Sequence, residues 1–257
     1  MNSQQGFALI VVAVLLLVIS VIGIIALKRS STDLQVATAA QVSKLNFQAN
    51  NIALAKIEQE SRADASGNKA GRRDTLQGYL SRPGEQYINA EIVLCLRKDA
   101  EKLFNTSVIT EKNALGYPLA ARRDSGFCDT TNNNHYVSEG RIVTQLTLRK
   151  TKESNENQAF GGEAIATSSD DFVSTSSAVN TLCSYFDAHA VSLIPSYSNA
   201  SRSSINECLK LPVEMTEKID TSRYSETIGQ CLSRLGVPHN IQVQTFRGQA
   251  TDFKCIS

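Results

Sequence analysis

The chain has 257 residues, 26 of them basic and 25 acidic, for a net charge of +1, and it contains no tryptophan. Both signs are interspersed along it, which excludes the concentrated basic footprint expected of a nucleic-acid binder. Its length is enough for one large globular domain or two smaller lobes.

A short polar stretch, Met1 to Gly6, opens the chain, and Phe7 to Leu27 then runs without a charge. At about 1.5 Å rise per residue this apolar run covers roughly the 30 Å hydrocarbon core of a bilayer. A cleaved secretory signal has a basic start and a small-residue cleavage site after its apolar core. Here no Ala-x-Ala follows, and a glycine stands before the block instead. The plain reading of such a segment is an uncleaved signal anchor.

Lys28 to Arg62 contains neither proline nor glycine and is rich in Ala, Leu, Gln and Lys, which favours continuation of one helix from the apolar run to about residue 62. Val42, Leu45, Ala49 and Ile52 form one apolar stripe, and Ala40, Phe47, Leu54 and Ile57 a second. Two stripes predict two contacts, one with the chain's own globular part and one with other subunits.

Residues 63–257 follow as the globular part. Asp64 to Gly84 reads as a loop. Tyr87 to Leu96 alternates and predicts a strand with Ile88, Ala90, Ile92 and Leu94 on one face. Gly126 to Tyr136 is a second loop. Gly140 to Lys150 predicts the clearest strand, with Ile142, Leu146 and Leu148 on one face, paired antiparallel to the first. Thr151 to Ser177 is polar, and a lobe boundary is placed there. Ala178 to Ala190 fits a helix or a strand. Asn206 to Lys210 suggests a short helix stopped by Pro212. Ser222 to Leu235 reads as a helix with Tyr224, Ile228, Cys231, Leu232 and Leu235 on one stripe, ended by Gly236 and Pro238. Ile241 to Phe246 and Asp252 to Ile256 suggest a hairpin.

The six cysteines are Cys95, Cys128, Cys183, Cys208, Cys231 and Cys255. None forms a C-x-x-C pair, and an even, widely spaced set reads as disulfides in an oxidising space. Proximity alone suggests the sequence-order pairing of Cys95 with Cys128, Cys183 with Cys208 and Cys231 with Cys255. Lys28 and Arg29 after the apolar run, with nothing basic before it, argue by the positive-inside rule for a cytoplasmic C-terminal part. The cysteines argue the other way.

No catalytic constellation stands out, and the chain reads as a non-enzyme with no cofactor and no metal. There is no Gly-x-Ser-x-Gly, Walker loop, Gly-x-Gly-x-x-Gly or His-Glu-x-x-His. Asp124-Ser125-Gly126 lacks the motif that surrounds a serine nucleophile and reads as a polar turn. His189 and Asp187, two apart, share a face if they lie on a strand. Cys183 with His189 offers metal-ligand chemistry, against which a disulfide at Cys183 is the better reading. Asp129, Asn132 and Asn134 offer oxygen ligands but depart from the EF-hand pattern. Asp170-Asp171 reads as a solvated loop.

The segment Gln5-Gly6-Phe7-Ala8-Leu9-Ile10-Val11 resembles the class III leader and N-terminus of type IV pilins. Together with Leu27-Lys28-Arg29-Ser30 and Leu45-Asn46-Phe47-Gln48-Ala49 it is similar to PilX-type minor pilins, over about the first 60 residues. The resemblance implies an α+β, pilin-like fold: a long N-terminal helix, its transmembrane half at 7–27 and extramembrane half at 28–62, packed on an antiparallel sheet. A disulfide-linked C-terminal lobe completes the globular domain, 63–257, with the lobe boundary near 151–177. It implies a leader peptide at 1–6, cleavage between Gly6 and Phe7 by the prepilin peptidase and N-methylation of Phe7. Assembly then follows with other minor pilins and the major pilin, and with an adhesin at a tip. It also implies residence in a bacterial inner membrane, with the C-terminal domain periplasmic, and then in a surface pilus. Two features depart from the family: the leader is not basic, and Val11 stands where most pilins carry glutamate. A missing acid there is, in the family, a feature of subunits that initiate or cap the filament. The alternatives are a minor pseudopilin of a type II secretion system and a pilus-displayed adhesin or DNA-binding subunit. A DNA receptor needs a basic, aromatic stripe that the sequence lacks.

Overall fold

The computed structural model describes residues 5–66, 75–76, 89–98, 102–105, 108–119, 126–150 and 184–248. The chain divides into two compact units, Met1–Leu45 and Asn46–Ser257. A single α-helix of 62 residues, α1 (Gln5–Ser66), supplies most of the first and the opening segment of the second. Its lack of internal Gly or Pro beyond Gly23 accounts for its continuity.

In the first unit the apolar side chains from Val11 to Ile25 stand exposed, Leu17 by 65%. Among the described residues no helix is long and apolar enough to cross a membrane. Gly6 and Phe7 lie within α1.

The second unit is built on an antiparallel sheet. Its strands are β1 (Glu91–Cys95), β2 (Thr110–Lys112), β3 (Tyr136–Val137), β4 (Ile142–Lys150), β5 (Ser184–Leu193) and β6 (His239–Gly248). Their order is β2-β1-β4-β5-β6, with β3 also pairing β4. The expected antiparallel pairing of the first two predicted strands forms, Leu94 opposite Leu146 and Ile92 opposite Leu148. The segment that fitted helix or strand equally is the start of β5, whose alternation of Phe186, Ala188 and Ala190 with polar residues suits a sheet buried on two sides. Ile241 to Phe246 does lie in a strand, but its described partner is β5 rather than the segment 252–256, which falls outside the described residues.

One face of the sheet packs on the second-unit part of α1. Ala53, Leu54 and Ile57 meet Ile92, Leu94, Leu146, Leu148, Ala188 and Ala190 in one core. Phe186 and Phe246, opposite in register, stack with ring centroids 5.5 Å apart. Neither predicted stripe is the buried face as drawn. Val42 and Ala49 are buried while Leu45 and Ile52 are exposed, and Leu54 and Ile57 are buried while Phe47 is exposed. The buried face also takes Asn46 and Asn50. An apolar pattern cannot reveal these two, because their burial depends on partners far along the chain. Asn46 Nδ2 donates to Pro238 O at 3.4 Å, and Asn50 Nδ2 to Asn240 O at 3.0 Å.

The opposite face is covered by α2 (Arg202–Leu209) and α3 (Ile228–Arg234). Ile205, Leu209, Ile228 and Leu232 pack there on Val143, Val191 and Leu193. Ser201 caps α2 by accepting from Ser204 N. The helix expected from Ser222 is shorter. It begins only at Ile228, where Thr227 and Gln230 form a reciprocal capping box. Tyr224 is buried outside the helix, its hydroxyl donating to Gly116 O. Gly236, at φ +63°, closes α3 as expected.

Candidate functional site

The strand register sets an alternating row of charge across the face beneath α2 and α3. Lys112 stands opposite Glu91, Glu91 opposite Arg149, Arg149 opposite Asp187, and Asp187 opposite Thr245. Cross-strand neighbours of opposite sign attract, so the row favours this register over its alternatives. The next row on the same face carries Val93, Thr147, His189 and Val243. Asp187 and His189 therefore share a face, as their spacing predicts.

Three side chains of this face hold the segment leaving α2. Gln145 Nε2 donates to Leu209 O at 2.8 Å, Lys112 Nζ to Leu211 O at 3.0 Å, and Arg149 Nη2 to Glu214 Oε2 at 2.6 Å. Arg149 Nη2 also lies 3.8 Å from Asp187 Oδ2. Lys112 Nζ is 3.5 Å from Glu91 Oε2, an ionic contact at the outer limit of a hydrogen bond. Burial pushes the Lys112 ammonium below its ordinary pKa, and Glu91 opposes that shift. His189 is also pushed down, first by burial and then by the Arg149 charge, against the smaller pull of Glu214, Glu91 and Asp187. Neither alternation nor motif pointed to Glu91, Lys112, Arg149 or Glu214. The available signal was a charged residue at or near the end of an otherwise uncharged stretch of strand, Glu91 in β1 and Arg149 in β4.

The asparagine loop has a different use. Asp129 Oδ1 accepts from Thr131 N, Thr131 Oγ1 and Asn206 Nδ2 at 2.7–2.8 Å. Asn132 Oδ1 accepts from Asn134 N at 3.0 Å and caps a short 3-10 turn. Through Asn206 the Asp129 oxygen fastens the loop to α2, while that of Asn132 closes a turn within the loop. His135 Nδ1 accepts from Asp129 N at 2.8 Å, and burial first, then Arg97, lowers its pKa. Gly126 is obligatory there: a β-carbon on it would collide with Val93 O and Thr110 N.

Two disulfides lie among the described residues. Cys95–Cys128 forms as the sequence order suggests, with Cα atoms 4.9 Å apart. Cys208 bonds to Cys231, Cα atoms 5.5 Å apart, and joins α2 to α3. This overturns the pairings of Cys183 with Cys208 and of Cys231 with Cys255. Proximity in sequence missed that the two helices lie side by side over the sheet. Cys183 and Cys255 fall outside the described residues, as do Asp124, Ser125 and Asp170-Asp171. Among the described residues no group of three or more His, Cys, Asp or Glu is arranged to hold a metal. Of the positions singled out in α1, Val11 is 43% exposed. No family model, curated protein or solved structure matches the chain.

Proposed function

We propose that the chain is a structural subunit, a minor pilin of the PilX type, acting in the initiation or at the tip of a type IV pilus and carrying out no catalysis. The observation that carries this reading is α1: one helix of 62 residues that contains the uncharged run after Gly6 and ends on the core of an antiparallel sheet. Such a helix stores the subunit in the inner membrane and, once extracted, packs among other pilins. The globular domain is periplasmic before assembly, where its disulfides form. Prepilin peptidase cleaves between Gly6 and Phe7, and the new Phe7 amine is methylated. Val11 in place of an acid suits a subunit with nothing above it. No neighbouring amine is there to be met, and a carboxylate in a dry core without a partner costs several kcal/mol.

Intact-protein mass spectrometry on chain purified from its native membrane tests this. The expected product begins at a methylated Phe7. Functional protein that keeps Met1 overturns the reading. A minor pseudopilin shares this processing, and identification of the co-purifying subunits separates the two.

A further inference from the structure

The polar groups on the helix-covered face of the sheet are not all satisfied by the protein. Thr147 Oγ1, Arg149 Nε, Arg149 Nη1 and His189 Nε2 are buried without a protein hydrogen-bond partner, and Glu91 Oε2 has the 3.5 Å ionic contact from Lys112 and no closer hydrogen bond. The residues that carry them are at most 8% exposed. All lie on one face and in two adjacent register rows: Glu91 opposite Arg149, Thr147 opposite His189, and Thr147 two residues before Arg149. Each such atom left dry carries an uncompensated desolvation cost. So many in one place imply a common partner.

We propose that this cluster holds an internal water joining the Glu91–Arg149 pair to Thr147 and His189. The chemistry of the open atoms selects water over an ion. Arg149 offers only donors and Glu91 only an acceptor, and a water between them can accept from the one and donate to the other. An anion is opposed by the local charge, since three carboxylates, Glu91, Asp187 and Glu214, already face two cations, Lys112 and Arg149. A cation is opposed by the guanidinium donors at its centre. Internal waters typically make about three hydrogen bonds to buried groups of this kind. The consequence is that the face fastening residues 209–214 is a hydrated ion cluster. Its pairs are bridged in part through solvent.

Two experiments on the full chain in detergent decide the matter. In a high-resolution crystal structure, a single-oxygen density within about 3.2 Å of Arg149 and of Thr147 or His189 is expected. Direct bonding of Arg149 Nε and Nη1 to Glu91 with no density between overturns the proposal, and so does density that takes up bromide or rubidium. The second is the near-isosteric Thr147→Val. If Thr147 binds the water, this change lowers the folded-to-unfolded ratio about fivefold in reversible chemical unfolding. If the hydroxyl is dry, the change leaves the ratio unaltered or raises it, and the proposal fails.

Discussion

Arg149 and Glu214 make a close ion pair on the covered face, at 2.6 Å, but the two partners are not equivalent. The Arg149 side chain is 9% exposed and that of Glu214 54%. Removing a buried partner leaves charge uncompensated in a poorly solvated place, whereas a half-exposed carboxylate returns to water. Arg149→Met is therefore expected to cost about 3 kcal/mol, because Glu91 and Asp187 lose their neighbour. Glu214→Gln is expected to cost less than about 1 kcal/mol. Urea unfolding of the two variants checks the order, and equal losses refute it. The buried histidines set a pH dependence with a definite sign. His135 and His189 both have lowered pKa values in the folded chain. Their contribution is complete above the ordinary value near pH 6.5 and is lost as pH falls through the folded values. Protonation of His135 also ends its acceptance from Asp129 N. The melting temperature should fall on going from about pH 7.5 to about pH 5, by roughly 2–4 °C for each kcal/mol lost. His189→Gln should flatten this dependence, and an unchanged slope would show that His189 is not responsible.

Helix α1 carries two kinds of side chain in its second-unit part, and they have separable roles. Asn50 is fully buried and donates to both the backbone and side-chain oxygens of Asn240, at 3.0 and 2.9 Å. Phe47 and Ile52 are about half exposed. Asn50→Ala should cost about 1–3 kcal/mol, because it strands the Asn240 carbonyl. Phe47→Ala should alter stability by less than about 0.5 kcal/mol. In the proposed pilin, Phe47→Ala should nevertheless reduce co-purification with other subunits. Parallel unfolding and pull-down measurements test the division. A Phe47 variant that loses stability as much as the Asn50 variant would contradict it. That α1 is a long helix was legible from composition alone. Which of its faces is buried was not, because both stripes are apolar and the face chosen is decided by Asn46 and Asn50 reaching Pro238 and Asn240 near the far end of the chain.

Across the whole molecule, the two disulfides lie in the same core, beneath α2 and α3, and fasten different segments there. Cys95–Cys128 ties β1 to the asparagine loop, and Cys208–Cys231 ties α2 to α3. They close loops with sequence separations of 33 and 23 residues, for which restriction of the unfolded chain is worth about 3.5 kcal/mol each. With four cysteines so committed, the expected third bond falls to Cys183 and Cys255. Thiol labelling of the denatured, unreduced chain should find almost no free cysteine, and labelling at six would contradict an oxidising compartment. The sequence by itself determined the long N-terminal helix, the antiparallel pairing of β1 with β4 and the shared face of Asp187 and His189. Each follows from short-range periodicity or from the closeness of two segments in the chain. Only the tertiary structure decided the Cys208–Cys231 bond, the buried face of α1 and the charge row through Lys112, Glu91, Arg149 and Asp187. These depend on register between strands distant in sequence, and a one-residue slip in any pairing would turn the charges to the other face.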